Sequence, residues 1–154
     1  RGHSLQHCSY KTPDGYWYLG DMLITKRTRK TARIPYAYIL SEDIHSKREL
    51  LALEGEGYLC THKGLVDPED LQDLVEENIA FYQGRAEELY HLLKDGMTEE
   101  EIRNALFRSL GIRLKDMYHY HTLTILLRSY MDYYQDSGLL LPYLELGELR
   151  YRKP

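Results

Sequence analysis

Cysteine is scarce in this sequence: only Cys8 and Cys60 are present. That excludes a disulfide-stapled scaffold and makes a reducing cytoplasm the expected setting. No apolar run approaches the roughly 20 residues that a membrane span needs, so no membrane partner is expected. No stretch has the pattern of a secretory signal, and no internal repeat or low-complexity tract is visible. An excess of positive charge is missing as well. A net charge of -4 and a pI near 6.0 argue against a nucleic-acid-coating protein, though they leave a local basic patch open. A starting methionine is absent too, and a ligand-type residue as close to the end as His3 needs flanking backbone to hold it. The sequence therefore reads as the later part of a longer protein. What is present is ample for a core: 43% hydrophobic residues and 15 Tyr in 154 residues. That suits one compact domain, or a small domain plus part of another.

Two short alternating runs, Gln6 to Lys11 and Tyr16 to Leu19, flank Thr12-Pro13-Asp14-Gly15, with Pro and Gly where a tight turn needs them. A hairpin here can bring the loop imidazole of His3 near the loop carboxylate of Asp21. His62, just past a predicted strand over Tyr58 to Thr61, is a third ligand-type side chain. Between them lies Lys26-Arg27-Thr28-Arg29-Lys30-Thr31-Ala32-Arg33, with five basic residues in eight. It reads as a solvated loop, or as an electrostatic lure in which Lys26, Arg27, Arg29 and Lys30 bind an anionic substrate. Ser41 is the expected N-cap of a helix with Glu42 and Asp43 in its first turn and Ile44, Leu50, Leu51 and Leu53 as its apolar stripe. A helix between two strands makes this half α/β.

Asp67-Pro68-Glu69 opens a long helix with apolar residues at three- and four-residue spacing, interrupted only by Gly84. Thr98 and Glu101 form a capping box that opens a second helix. A Tyr- and Leu-rich third helix spans about 114–137. Residues 139–144 and 148–152 alternate around Gly147 as a hairpin. Helix, helix, hairpin is the order of a winged-helix module.

Gly2-His3-Ser4, a short hairpin, Gly20-Asp21 and a later His62-Lys63-Gly64 together resemble the later part of a metallo-β-lactamase-fold hydrolase. The resemblance implies the C-terminal part of a four-layer αβ/βα fold over residues 1–95, followed by a mainly α winged-helix-like extension over 96–154. It implies that His3 binds one metal ion, that Asp21 bridges two, and that His62 binds the second. Zinc is the expected metal, and the same ligands also serve iron or manganese. The family has His-Gly without an intervening Lys, and its His-x-His-x-Asp-His signature is absent from these residues. His119-Tyr120-His121 lacks the following Asp-His and reads as helix-surface or packing histidines. His7 reads as structural.

In the complete fold the metals would activate water for attack on an ester, thioester, lactone or phosphodiester. The stretch by itself, without the missing N-terminal half as partner, is expected to be inactive. A homodimer is a further candidate assembly. The alternative is a non-catalytic module that binds a protein or nucleic-acid partner through the C-terminal helices and the basic loop 26–33. The third helix, whose main cation is Arg128, favours protein contact over nucleic acid. Cys8 and Cys60 sit on strands that could approach each other, and read as structural thiols.

Overall fold

The structure, a computed structural model, describes residues 2–154. The chain divides into two compact units, the first ending at Gly84 and the second spanning Arg85–Pro154. The boundary that the resemblance implies, after residue 95, falls within the second of these units.

The first unit is built on a four-stranded sheet. Strands β1 (Tyr10–Lys11) and β2 (Tyr16–Gly20) form the expected antiparallel hairpin, with Thr12 N–H donating to the Tyr16 carbonyl at 2.7 Å. The first strand is shorter than the alternating run suggests. Residues 7–9 lie outside it, and His7 N–H instead closes a turn onto the Ser4 carbonyl. Helix α1 (Lys26–Thr31) and helix α2 (Leu40–Glu49) follow, and then strand β3 (Gly57–Cys60), which pairs parallel to β2. The α/β reading holds here: a strand, a crossover carrying helices, and a parallel neighbour. Strand β4 (Gly64–Val66) turns back antiparallel beside β3. The sequence pattern does not reveal it, because three residues are too few to show a period.

Two local expectations are corrected. The basic run is a helix rather than a loop: Thr25 caps it, its side chain accepting from Thr28 N–H at 3.1 Å, and Lys and Arg are good helix formers. Helix α2 starts at Leu40 with Ile39 as its N-cap and no side-chain cap, so Ser41 lies inside it. A distant part of the chain is bound just ahead of that helix start. The Gly2 carbonyl accepts from Tyr38 N–H at 2.9 Å and Ile39 N–H at 3.0 Å.

Alternation along the sheet gives it two different faces. Leu19, Tyr58, Cys60 and Val66 are buried against Leu71, Leu74 and Val75 of helix α3 (Pro68–Leu92), forming the core of this unit. On the other face Tyr10, Tyr18, Leu59 and Leu65 stand in register across all four strands, and all four are exposed. Helix α2 buries Ile44 as its pattern suggests, but also Asp43 and Lys47, which pair with each other at 0% exposure. Asn78 on α3 is buried as a clamp. Its amide donates to the Ile24 and Leu74 carbonyls at 3.1 and 2.8 Å, and its oxygen accepts from Ile24 N–H at 2.9 Å.

The second unit takes in the last turns of α3 and adds strand β5 (Met97–Thr98), helix α4 (Glu99–Ser109), helix α5 (Met117–Asp136) and strands β6 (Leu141–Glu145) and β7 (Glu148–Arg152). The capping box is present as read: Glu101 N–H donates to Thr98 Oγ1 at 3.2 Å, and Thr98 N–H donates to the Glu101 carboxylate at 2.9 Å. Asp116 caps α5 by accepting from His119 N–H at 2.7 Å. The hairpin turns on Leu146 and Gly147, at φ 50 and 84, as a two-residue turn between twisted strands requires. The sheet order is β5-β7-β6. Its core joins Ala86, Leu89 and Leu93 with Ile102, Leu106, Leu127, Tyr130 and Tyr134, and Tyr134 Oη donates to the Ala86 carbonyl at 2.6 Å. No helix among the described residues is long and apolar enough to cross a membrane.

Candidate metal centre

Three loops at one end of the first unit's sheet bring His3, Asp21 and His62 to one cleft of about 400 Å3. Each loop has its own reason for being there. The His3 loop is anchored through Gly2, whose backbone lies so close to α2 that a Cβ would sit 2.1 Å from Asp43 N. With φ at 100 as well, only glycine fits. Asp21 follows a bulge: Tyr18 pairs with Leu59 and Gly20 with Cys60, so β2 spends two residues on one step of β3. Gly20 takes φ 58 there, its carbonyl accepts from Thr61 N–H at 3.1 Å, and the bulge turns Asp21 out of the strand direction. His62 sits in the turn between β3 and β4, closed by Lys63 N–H to the Cys60 carbonyl at 3.2 Å. Lys63 is accommodated because Gly64 leaves the turn at φ 89 with open space around it.

The His3 ring lies against Tyr36 at 4.9 Å and beside His7 at 5.6 Å between centroids. His3 Nδ1 is buried with no hydrogen-bond partner. Burial lowers its pKa to about 4, against the upward pull of Asp21, so the ring is neutral at physiological pH and keeps a lone pair. Asp21 Oδ1 is likewise buried and accepts no hydrogen bond. His62 Nε2 lies 3.2 Å from that oxygen, an ion-pairing distance without hydrogen-bond geometry. Unsatisfied buried donors and acceptors are uncommon, and here a neutral imidazole and a carboxylate share one cleft in that state. Both are ligand types that zinc accepts. Among the described residues, however, no three His, Cys, Asp or Glu side chains converge closely enough to hold one ion between them.

The expected anion-binding residues are placed differently from the expected ligands. Lys26, Arg27 and Lys30 are exposed and do not line the cleft. Arg29 donates to the Ile24 carbonyl at 3.1 Å and pairs with Glu77. Of α1 only Thr28 lines the cleft, together with Ala32, the residue that caps the end of the helix.

Sequence reasoning sets His7 aside, yet it belongs to this end of the unit. Both ring nitrogens are buried without partners, and Nε2 lies 2.7 Å from where a side chain on Gly20 would begin. Burial lowers its pKa as well. The four-residue spacing from His3 is the available signal. Tyr36 and Tyr82, joined by Tyr82 Oη donating to the Tyr36 carbonyl at 2.9 Å, also line the cleft and carry no signal in the sequence. Cys8 and Cys60 do not bond: Cys8 is exposed with its thiol donating to Tyr10 Oη at 2.7 Å, and Cys60 is buried, which pushes its thiol pKa up. In the second unit His119 Nδ1 accepts from Lys115 N–H at 3.3 Å at the start of α5, and His121 is exposed.

No protein-family model matches the chain, and no curated protein matches it in sequence. Among solved structures it is similar to a metallo-beta-lactamase family protein from Thermus thermophilus. That match has a TM-score of 0.67 and 20% identity, over 99% of this chain and 47% of the other. It is also similar to a beta-lactamase domain protein from Burkholderia ambifaria, with TM-score 0.67 and 17% identity, over 99% of this chain and 45% of that one. The chain thus spans about half the length of the structures it matches. With the parallel β2–β3 pair, the bulge before Asp21 and the three convergent loops, these likenesses give the conclusion that the chain has a metallo-β-lactamase-type fold.

Proposed function

We propose that this chain supplies one wall of the active site of a metal-dependent hydrolase, with His3, Asp21 and His62 as its metal ligands. The observation that carries this reading is a pair of buried atoms that make no hydrogen bond, His3 Nδ1 and Asp21 Oδ1, in one cleft with His62. Zinc fits these donor types, and iron and manganese accept them too. A bound divalent ion lowers the pKa of its water to about 7 and polarises the bond under attack.

The chain's own residues do the rest. Burial keeps His3 unprotonated, so no proton has to leave before it can bind. Tyr36 holds the His3 ring from one side, and the Gly20 bulge fixes where the Asp21 carboxylate points. The His62 imidazole stands at ion-pairing distance from that carboxylate, and no lysine or arginine of α1 lines the cleft. The matched structures are about twice this length, which supports a site completed by residues outside this stretch. Two ions in the complete protein, and an ester, thioester, lactone or phosphodiester as substrate, belong to the same reading. So does a winged-helix-like second unit, supported by its order of helix, strand, two helices and hairpin.

The test is metal analysis of the longer protein, together with hydrolysis of those four substrate types before and after Asp21→Ala. Bound zinc, iron or manganese is expected, with a rate loss of more than about 100-fold in the variant, since even outer-shell changes cost about 10- to 100-fold. A metal-free protein whose rates ignore Asp21→Ala would leave the non-catalytic interaction module as the better reading.

A further inference from the structure

Away from His3, Asp21 and His62, the cleft wall is lined by Ile24, Thr28, Ala32, Ile34, Pro35, Tyr36 and Tyr82. No lysine or arginine lines it, although α1 alone carries four. Helix α1 places Thr28 at the cleft, with Ala32 just past its end, and leaves Lys26, Arg27 and Lys30 exposed, while Arg29 is held by Glu77 and the Ile24 carbonyl. A phosphoryl or sulfuryl group placed along this wall would leave water without a cation to meet it, which is strongly unfavourable. A hydrocarbon chain placed there gains from every methylene removed from water. The wall is also held firmly: Asn78 fixes Ile24 through both its N–H and its carbonyl, and Tyr82 fixes the Tyr36 backbone.

We propose that this wall is an acyl subsite, taking the apolar chain of an ester or thioester whose carbonyl lies at the His3–Asp21–His62 end. The proposal rests on the hydrolase reading and narrows it toward substrates with an apolar acyl group. In the reaction, water adds to the acyl carbon and the acyl C–O or C–S bond breaks. The alcohol or thiol leaves with one proton, and the acyl chain leaves as a carboxylic acid.

The experiment is a binding series on the metal-free chain. The probes are alkanamides from propanamide to octanamide, uncharged and hydrolysis-resistant stand-ins for the ester, with inorganic phosphate alongside. The readout is the methyl NMR shifts of Ile24, Ala32 and Ile34. Affinity is expected to rise about fourfold per added methylene along the series. Ala32→Phe, which fills the wall, is expected to remove that rise while the melting temperature holds. Ala32→Leu makes the same test with a smaller side chain should the Phe variant fail to fold. Equal affinity for propanamide and octanamide, shifts confined to other methyls, or tighter binding of phosphate than of octanamide would each overturn the acyl subsite. Asp21→Ala is expected to keep the chain-length dependence. Loss of metal binding and loss of the subsite are therefore separate results.

Discussion

A lysine with no solvent exposure must find a partner, and Lys47 finds Asp43 one turn back on α2, with the Tyr82 ring 4.4 Å from its ammonium. Burial pushes the Asp43 carboxyl pKa up and the Lys47 ammonium pKa down, while each partner pulls the other back toward its charged form. Removing one member leaves the other uncompensated. Lys47→Met is expected to cost about 3–5 kcal/mol at neutral pH, read by urea denaturation, and Asp43→Leu added to it should recover most of that loss. The lone Asp43 carboxyl would have a folded pKa above its unfolded value. The folded state then binds the extra proton as the pH falls, so the deficit should shrink toward acid and grow with rising pH. None of this was legible in the sequence, where Asp43 is a first-turn acid and Lys47 a surface-type cation. His3 and Asp21 were legible because glycine precedes each of them at a turn. Tyr36 was not, because its ring reaches His3 only through the folded backbone.

At the scale of elements, local chemistry and tertiary contact divide the outcome. The capping box at Thr98 and Glu101, and the Leu146-Gly147 turn beside the foreseen Gly147, stand where short-range rules put them, since their partners lie within a few residues. The start of α2 does not: the helix begins at Leu40, one residue before Ser41, where the Gly2 carbonyl holds the Tyr38 and Ile39 amides just ahead of it. The basic run departs from expectation for another reason. Charge suggested a loop, whereas helix propensity together with the Thr25 cap favours a short helix. Helix α3 runs unbroken through Gly84, where an added Cβ would meet nothing within 4 Å. Glycine therefore serves no packing purpose there. Gly84→Ala is expected to stabilise the chain by about 0.5–1 kcal/mol, visible as a raised denaturation midpoint with an unchanged slope.

For the molecule as a whole, the α/β class and the placing of His3, Asp21 and His62 at one cleft could be read in advance, because the ligand-type residues follow turns and strands in a recognisable order. The apolar wall of the cleft could not, since Ala32, Ile34 and Tyr36 meet Ile24 only once the crossover is folded. The row of Tyr10, Tyr18, Leu59 and Leu65 has its own consequence at this scale. Adjacent apolar side chains spread over four strands make a sticky surface, and attraction between copies grows with the number of copies present. Light scattering from the isolated chain is expected to climb with concentration faster than its mass accounts for, and a dye that brightens on apolar surface should bind it. Tyr18→Lys with Leu59→Lys should lower both signals and raise the soluble yield, at little cost to the melting temperature. Handled alone, the chain is therefore expected to behave as a colloid near its solubility limit, and its usable concentration is set by four side chains that contribute nothing to its core.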